Sequence, residues 1–244
     1  MIDITEKFGT HFHNVTDKHL ADYWVLDTLG DIRNGTFIEA GGGWPSTCIN
    51  LEKYWDWRGH IFEPNDANHH QIELLRDSKL YNMCLWKHSN GVEFLETNTP
   101  NDSYIEGCLS PTVRYTPELI TSRNKVTKSS TTLNHVFENA NWKHCNFISL
   151  DIEGAEGSVI EMFDTDTYSV DCWQIEGGHR YIHMMKSKGY TLVEQPYAKI
   201  SSEGPGWSPR DTFDKFYINN KLLDNYKHHI FEDLDQYYKW CEYG

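Results

Sequence analysis

Five acidic side chains stand where an apolar run hands over to a turn: Glu39, Glu63, Asp151, Glu153 and Glu176. The first belongs to Thr36-Phe37-Ile38-Glu39-Ala40-Gly41-Gly42-Gly43-Trp44-Pro45-Ser46-Thr47, which reads as a short buried strand, a glycine turn and a helix start. A hydroxyl at Ser46 or Thr47 can cap that helix. Strand, glycine turn and helix N-terminus form a cradle for a nucleotide-like ligand. Two details narrow the ligand. Ser46 replaces the third glycine of G-x-G-x-x-G, and Glu39 puts a carboxylate beside Gly41 and Gly43. A carboxylate there repels a pyrophosphate and suits the ammonium group of S-adenosylmethionine. Next comes His60-Ile61-Phe62-Glu63-Pro64-Asn65, a second strand whose terminal acid follows Gly43 by 20 residues. An acid at that tip accepts from ribose hydroxyls.

Asp151, Glu153 and Glu176 end the later apolar runs. Ligands of open α/β sheets bind at the carboxyl ends of strands. Clustered acids there are costly unless a cation meets them. Sulfonium, ammonium, a metal ion or a protonated histidine would each serve. His179 has the unperturbed pKa of a general base, and His183 falls one turn later. Asp151, Glu176 and His179 also form a candidate divalent-metal set, whose oxygen-rich character favours Mg or Mn over zinc. The histidine pairs 11/13, 69/70 and 228/229 lack companions at zinc spacing.

The run Ser46-Thr47-x4-Glu52-x4-Trp57-x-Gly59-x3-Glu63-Pro64-Asn65, with Asp151-Ile152-Glu153-Gly154-Ala155-Glu156 later, resembles the FkbM-type family of S-adenosylmethionine-dependent methyltransferases. The likeness extends from about Gly9 to Asn219. It implies a Rossmann-like, seven-stranded class I α/β sheet, mostly parallel with its last strand antiparallel and helices on both faces. It implies S-adenosylmethionine as cofactor and a small-molecule or glycan acceptor methylated on a hydroxyl. By the same resemblance Asp151, Glu153 and Gly154 lie near the transferable methyl group, with Asp151 counted among both the cofactor and the catalytic residues. Glu176 matches an acid of the fifth strand, although Gly177-Gly178-His179 departs from the family pattern. Catalysis is thus assigned to Asp151, Glu153, Glu176 and His179. Glu39, Gly41, Gly43, Trp44, Ser46, Thr47, Glu63, Pro64, Asn65 and Leu85 complete the expected cofactor set. Tyr104, Tyr115 and Trp207 are candidates for stacking on sugar rings. A nicotinamide oxidoreductase and a non-catalytic binding module are the rival readings. Glu39 and the missing third glycine speak against the first. The intact acid and glycine set speaks against the second.

Composition bounds the partners. A net charge of −14 over 244 residues opposes nucleic acid and anionic membrane surfaces. No apolar stretch approaches the ~20 residues of a membrane span, so no membrane insertion is expected. The start, Met1-Ile2-Asp3-Ile4-Thr5-Glu6-Lys7, has no signal-peptide pattern. The six cysteines are scattered without C-x-x-C, as buried free thiols of a cytoplasmic protein would be. No residue pattern fixes the oligomeric state.

The elements that must position these residues follow in order. One domain over 1–244 is expected, with an N-terminal lead-in and helix at 1–30, Thr16 or Asp17 capping and Gly30 stopping it. Helices 47–55 and 65–76 flank strand 60–63. Tyr81–Trp86 reads as the third strand, ending near the adenine, with Gly91–Leu95 as a hairpin partner. Residues 96–130 lose periodicity and read as a substrate-side insertion. Helix 132–139 precedes the fourth strand, Phe147–Asp151, which is almost wholly apolar, as buried parallel strands are. Helix 156–163, strand 171–176, helix 179–188 and strand 190–195 follow. A turn at 201–211 leads into the last strand, Phe213–Ile218, antiparallel because no helix fits between. The tail 220–244 reads as helical.

Overall fold

Successive residues of a strand face opposite sides of its sheet, and most central strands here are apolar on both sides. Their flanks must therefore both be covered. The computed structural model describes residues 20–43, 47–97, 103–108, 124–196 and 214–243. Its elements are α1 (Ala21–Leu29), β1 (Thr36–Ala40), α2 (Ile49–Trp55), β2 (Arg58–Phe62), α3 (Asp66–Leu75), β3 (Lys79–Tyr81), β4 (Cys84–Leu85), β5 (Val92–Glu96), β6 (Tyr104–Ile105), β7 (Asn124–Lys128) and β8 (Ser130–Thr131). After these come α4 (Leu133–Ala140), β9 (His144–Leu150), α5 (Glu156–Met162), β10 (Ser169–Glu176), α6 (Ile182–Ser187), β11 (Tyr190–Val193), β12 (Asp214–Asn219), β13 (Ile230–Phe231) and α7 (Leu234–Tyr243). The α/β class and the mostly parallel sheet match expectation.

The central sheet runs β13-β11-β12-β10-β9-β1-β2-β3. The pairs from β3 through β10 are parallel, and β12 is antiparallel to both β10 and β11. From β1 the chain moves outward to β2 and β3, then returns to lay β9 on the other side of β1. That reversal opens a crevice at the carboxyl ends of β1 and β9.

Alternation sends neighbouring residues to two apolar clusters. Ile38, Ile148, Trp173 and Tyr217 join Phe137 of α4, Ile160 of α5 and Met185 of α6. Phe37, Phe147, Cys172 and Phe216 join Trp24 of α1, Leu51 of α2 and Ile72 of α3. Trp24 anchors the second cluster, its ring edge-on 4.9 Å from Phe216 and its Nε1 donating to Tyr226 Oη at 2.9 Å. Gly30 ends α1 in the left-handed region, and its N–H returns to Leu26 O. Thr16 and Asp17 lie outside the described residues.

Several expectations are corrected. The sheet has eight strands where seven were expected, because β13 pairs Ile230 and Phe231 with Val193 and Leu192. Two apolar residues in a polar tail carry no strand signal of their own. The tail is therefore not purely helical. It holds the 3₁₀ turn Asn220–Asn225 and β13 before α7. The expected third strand, Tyr81–Trp86, is split. The Met83 amide turns back onto Tyr81 O at 2.9 Å, so β3 ends in the central sheet and Cys84–Leu85 pairs with Ser130–Thr131 instead. Within 96–130, β6 and β7 flank β5 in an antiparallel sheet. Val126 is the one apolar residue of Asn124–Lys128, so hydropathy cannot reveal that strand. The expected helix 179–188 begins as a 3₁₀ turn, Gly178–Tyr181, before α6.

Candidate active site

At the ends of β1 and β9 two turns approach so closely that only glycine fits. Gly41 has φ +78°, and a Cβ there would stand 1.7 Å from Asp151 O. Its N–H donates to Phe62 O at 2.9 Å, while the Asp151 N–H donates to Ala40 O at 3.0 Å. A Cβ on Gly42 would meet Ile61 Cγ2 at 2.3 Å. The glycine turn and the Asp151 turn are thus packed backbone to backbone. Gly42 and Gly43 line a cleft against Ile72, Leu75 and Arg76. Trp44 and Ser46 lie outside the described residues. Cys48, not Thr47, occupies the N-cap of α2, and its side chain makes no capping hydrogen bond.

Glu39 is buried, and its carboxylate is engaged within the protein. Oε1 accepts the Thr47 N–H at 2.7 Å, and Oε2 accepts Arg76 Nη1 at 2.8 Å. Arg76 also donates Nε to Glu52 Oε2 at 2.5 Å. Burial works against the Arg76 charge, but Glu39 and Glu52 outweigh it and hold the guanidinium pKa above its usual value. Glu39 was expected to face an ammonium group. The arginine partner, 37 residues away in sequence, was not foreseen.

Glu63 ends the run that β2 begins and is buried. Burial pushes its carboxyl up to about 7, against smaller downward pulls from the Asn65 amide, Asn68, His69 and Lys128. The Asn65 N–H donates to Glu63 Oε1 at 2.7 Å, and His69 Nε2 meets Glu63 O at 2.7 Å. Asn65 caps α3 by accepting the Ala67 N–H at 3.0 Å, and its Nδ2 donates to Ser103 Oγ at 2.9 Å. The turn Glu63-Pro64-Asn65 therefore presents its carboxylate from a fixed frame. Leu85 is buried within the first apolar cluster.

At the ends of β9 and β10, Asp151, Glu153 and Glu176 each bring a carboxylate oxygen to within 4.8 Å of the others. Burial, then Asp151, Glu153, Glu156 and Asp214, push the Glu176 carboxyl up to about 10. Glu176 Oε2 accepts no hydrogen bond among the described residues. Glu153 holds φ +55°, left-handed for a residue with a Cβ, a strain that tends to gather at functional turns. The device that imposes this turn is Glu156, to which sequence reasoning gave no role. Its Oε1 accepts the N–H groups of Ile152 at 3.0 Å and Gly154 at 3.1 Å, and Tyr181 Oη donates to its Oε2 at 3.3 Å. Glu156 is the first residue of α5, directly after the N-cap Ala155, and its side chain reaches back over the turn.

His179 does not join this group, although it was expected there. It is half-buried, and burial, Lys215 and Arg180 lower its pKa. The left-handed Gly177 separates Glu176, at the end of β10, from the 3₁₀ turn that bears His179. Tyr104 is buried on β6, not exposed for stacking. Tyr115 and Trp207 lie outside the described residues. Cys84, Cys108, Cys145 and Cys172 are free thiols. Burial pushes the Cys84 and Cys145 thiols up to about 12, which keeps them unreactive.

A glycine turn after β1, a buried acid after β2 and an acid pair after β9 stand at the carboxyl ends of three neighbouring strands. The family model described as Methyltransferase FkbM domain matches residues 32–192, spanning all three. The chain belongs to the FkbM methyltransferase family. A search of curated proteins returns no match. Within this FkbM domain the match starts before β1 and ends in β11, so β12, β13 and α7 lie beyond it. No described helix is long and apolar enough to cross a membrane.

Proposed function

We propose that the chain transfers a methyl group from S-adenosylmethionine to a hydroxyl of a sugar, glycan or related small molecule. The observation that carries the reading is the pairing of Gly41 against Asp151 beside the buried Glu63. That cradle admits backbone contact, and its acid is desolvated in advance for ribose hydroxyls. Strand order and the two apolar clusters support a seven-stranded class I methyltransferase sheet with helices on both faces, extended here by β13.

The residues fit the cofactor. When bound, it supplies an electrophilic methyl group on a sulfonium. Glu63 would hold the ribose, with Gly41, Gly43 and Thr47 forming the wall beside it. Asp151 and Glu153 would face the reacting end. Glu176, pushed up to about 10, holds its proton at neutral pH unless a cation joins it. His179 is neutral at the same pH, its pKa lowered by burial and two cations, so it can accept a hydroxyl proton. A divalent cation, Mg or Mn, would be held by Asp151, Glu153 and Glu176, with oxygen donors suited to it. It would lower a substrate hydroxyl's pKa. We read residues 1–244 as one cytoplasmic domain, with 96–130 on the acceptor side. Unreactive free thiols support that compartment.

Calorimetry with S-adenosylmethionine, its demethylated product and NAD tests the reading. Micromolar-range binding of the first two and none of NAD is expected. NAD binding without S-adenosylmethionine binding overturns it.

A further inference from the structure

We propose that Arg76 is a positioning residue for the cofactor turn, acting through Glu39. The inference rests on reading Gly41, Gly43 and Thr47 as the cofactor wall. Arg76 stands at the C-cap of α3, directly after the helix that crosses from β2 to β3. Its guanidinium bridges two carboxylates, Glu39 at 2.8 Å and Glu52 at 2.5 Å. All three side chains are at most 5% exposed. The guanidinium also lies 5.5 Å above the Phe37 ring and lines the cleft beneath Gly42 and Gly43.

One carboxylate thus spans the turn's support. Glu39 Oε2 is pinned by Arg76, and Glu39 Oε1 takes the Thr47 N–H just ahead of α2. The other end is fixed by the Gly41 N–H on Phe62 O. A rigid guanidinium fork holds a carboxylate rotamer better than a flexible ammonium does. Without Arg76, Glu39 and Glu52 become buried carboxylates lacking their cation, and such a group moves or takes up a proton. Either response releases Thr47. Glu39 therefore acts on the cofactor through turn geometry, its charge already balanced inside the protein. Glu52 turns its other oxygen to the N–H groups of Asp77 and Ser78, away from the glycine turn. It serves as the structural control.

The test compares Arg76→Gln, Arg76→Lys and Glu52→Gln in the full chain. Hydrogen exchange at the Thr47 amide and the Kd for S-adenosylhomocysteine are the readouts. Arg76→Gln should weaken binding and speed Thr47 exchange by at least about tenfold, the scale of one lost charge-assisted hydrogen bond. Amides of β9 and β10 should exchange as before. Glu52→Gln should lower Tm while leaving both readouts near wild type. Arg76→Lys keeps the charge without the fork and should fall between, which preserves the test should Arg76→Gln not fold. A folded Arg76 variant with unchanged Thr47 exchange and unchanged Kd overturns the proposal. Wild-type protein that binds no S-adenosylhomocysteine overturns the cofactor reading instead, while Thr47 exchange still judges Arg76.

Discussion

Glu63→Gln separates the cost of burying an acid from its use. Glu63 is raised from 4.5 to about 7, first by burial. A raised carboxyl costs nothing below its unfolded pKa, where both states are protonated. The cost grows between about pH 4.5 and 7 and is complete above 7. The gap of two to three units corresponds to about 3 kcal/mol. Ligand-free Glu63→Gln should therefore match wild type near pH 4.5 and exceed it in stability above pH 7, by up to about 3 kcal/mol. Binding should show the opposite preference. Ribose hydroxyls donate to the ionised carboxylate, so wild-type affinity for S-adenosylhomocysteine should rise through about pH 7 with release of a proton. The glutamine variant should lose that dependence and about 1–3 kcal/mol of binding. Thermal melts across pH, and calorimetry in two buffers of different ionisation enthalpy, measure both. A flat wild-type affinity through this range, or a glutamine variant less stable than wild type at alkaline pH, would refute the reasoning.

Gly41→Ala should destabilise by more than about 3 kcal/mol, since its Cβ would sit 1.7 Å from Asp151 O at φ +78°. Gly30→Ala, left-handed with nothing within 4 Å, should cost only about 1 kcal/mol. Equal losses in denaturant titrations would contradict the close approach. Glu156→Ala should cost about 2–4 kcal/mol by stranding the Ile152 and Gly154 amides, and Glu156→Gln much less, because its amide oxygen still accepts both. Comparable stability of the two variants would remove the clamp role. Asp151→Asn should keep the fold and cut turnover by about 100-fold or more, with EDTA abolishing wild-type activity and Mg or Mn restoring it if a cation takes part. Full activity in this variant would move catalysis to Glu153 or Glu176.

Local chemistry makes much of this protein legible in its sequence. Short-range signals decided the strand–glycine–helix units. Gly41 stands at a tip needing φ > 0, and Asn65 and Thr132 cap helices through their own side chains. The parallel strands were legible as short, largely apolar runs, most plainly Phe147–Leu150 of β9. The acids at strand tips were identifiable because carboxyl ends of such sheets share one edge. What the sequence could not decide depends on pairs far apart in the chain. Arg76 meets Glu39 only because α3 folds back beside β1. Glu63 rises to about 7 only because the surrounding chain desolvates it. The β13 edge exists only because β11 offers unpaired backbone groups to Ile230 and Phe231. Periodicity reports which face a residue turns to the core. Partners, and the electrostatics they impose, follow from distances that only the tertiary structure sets.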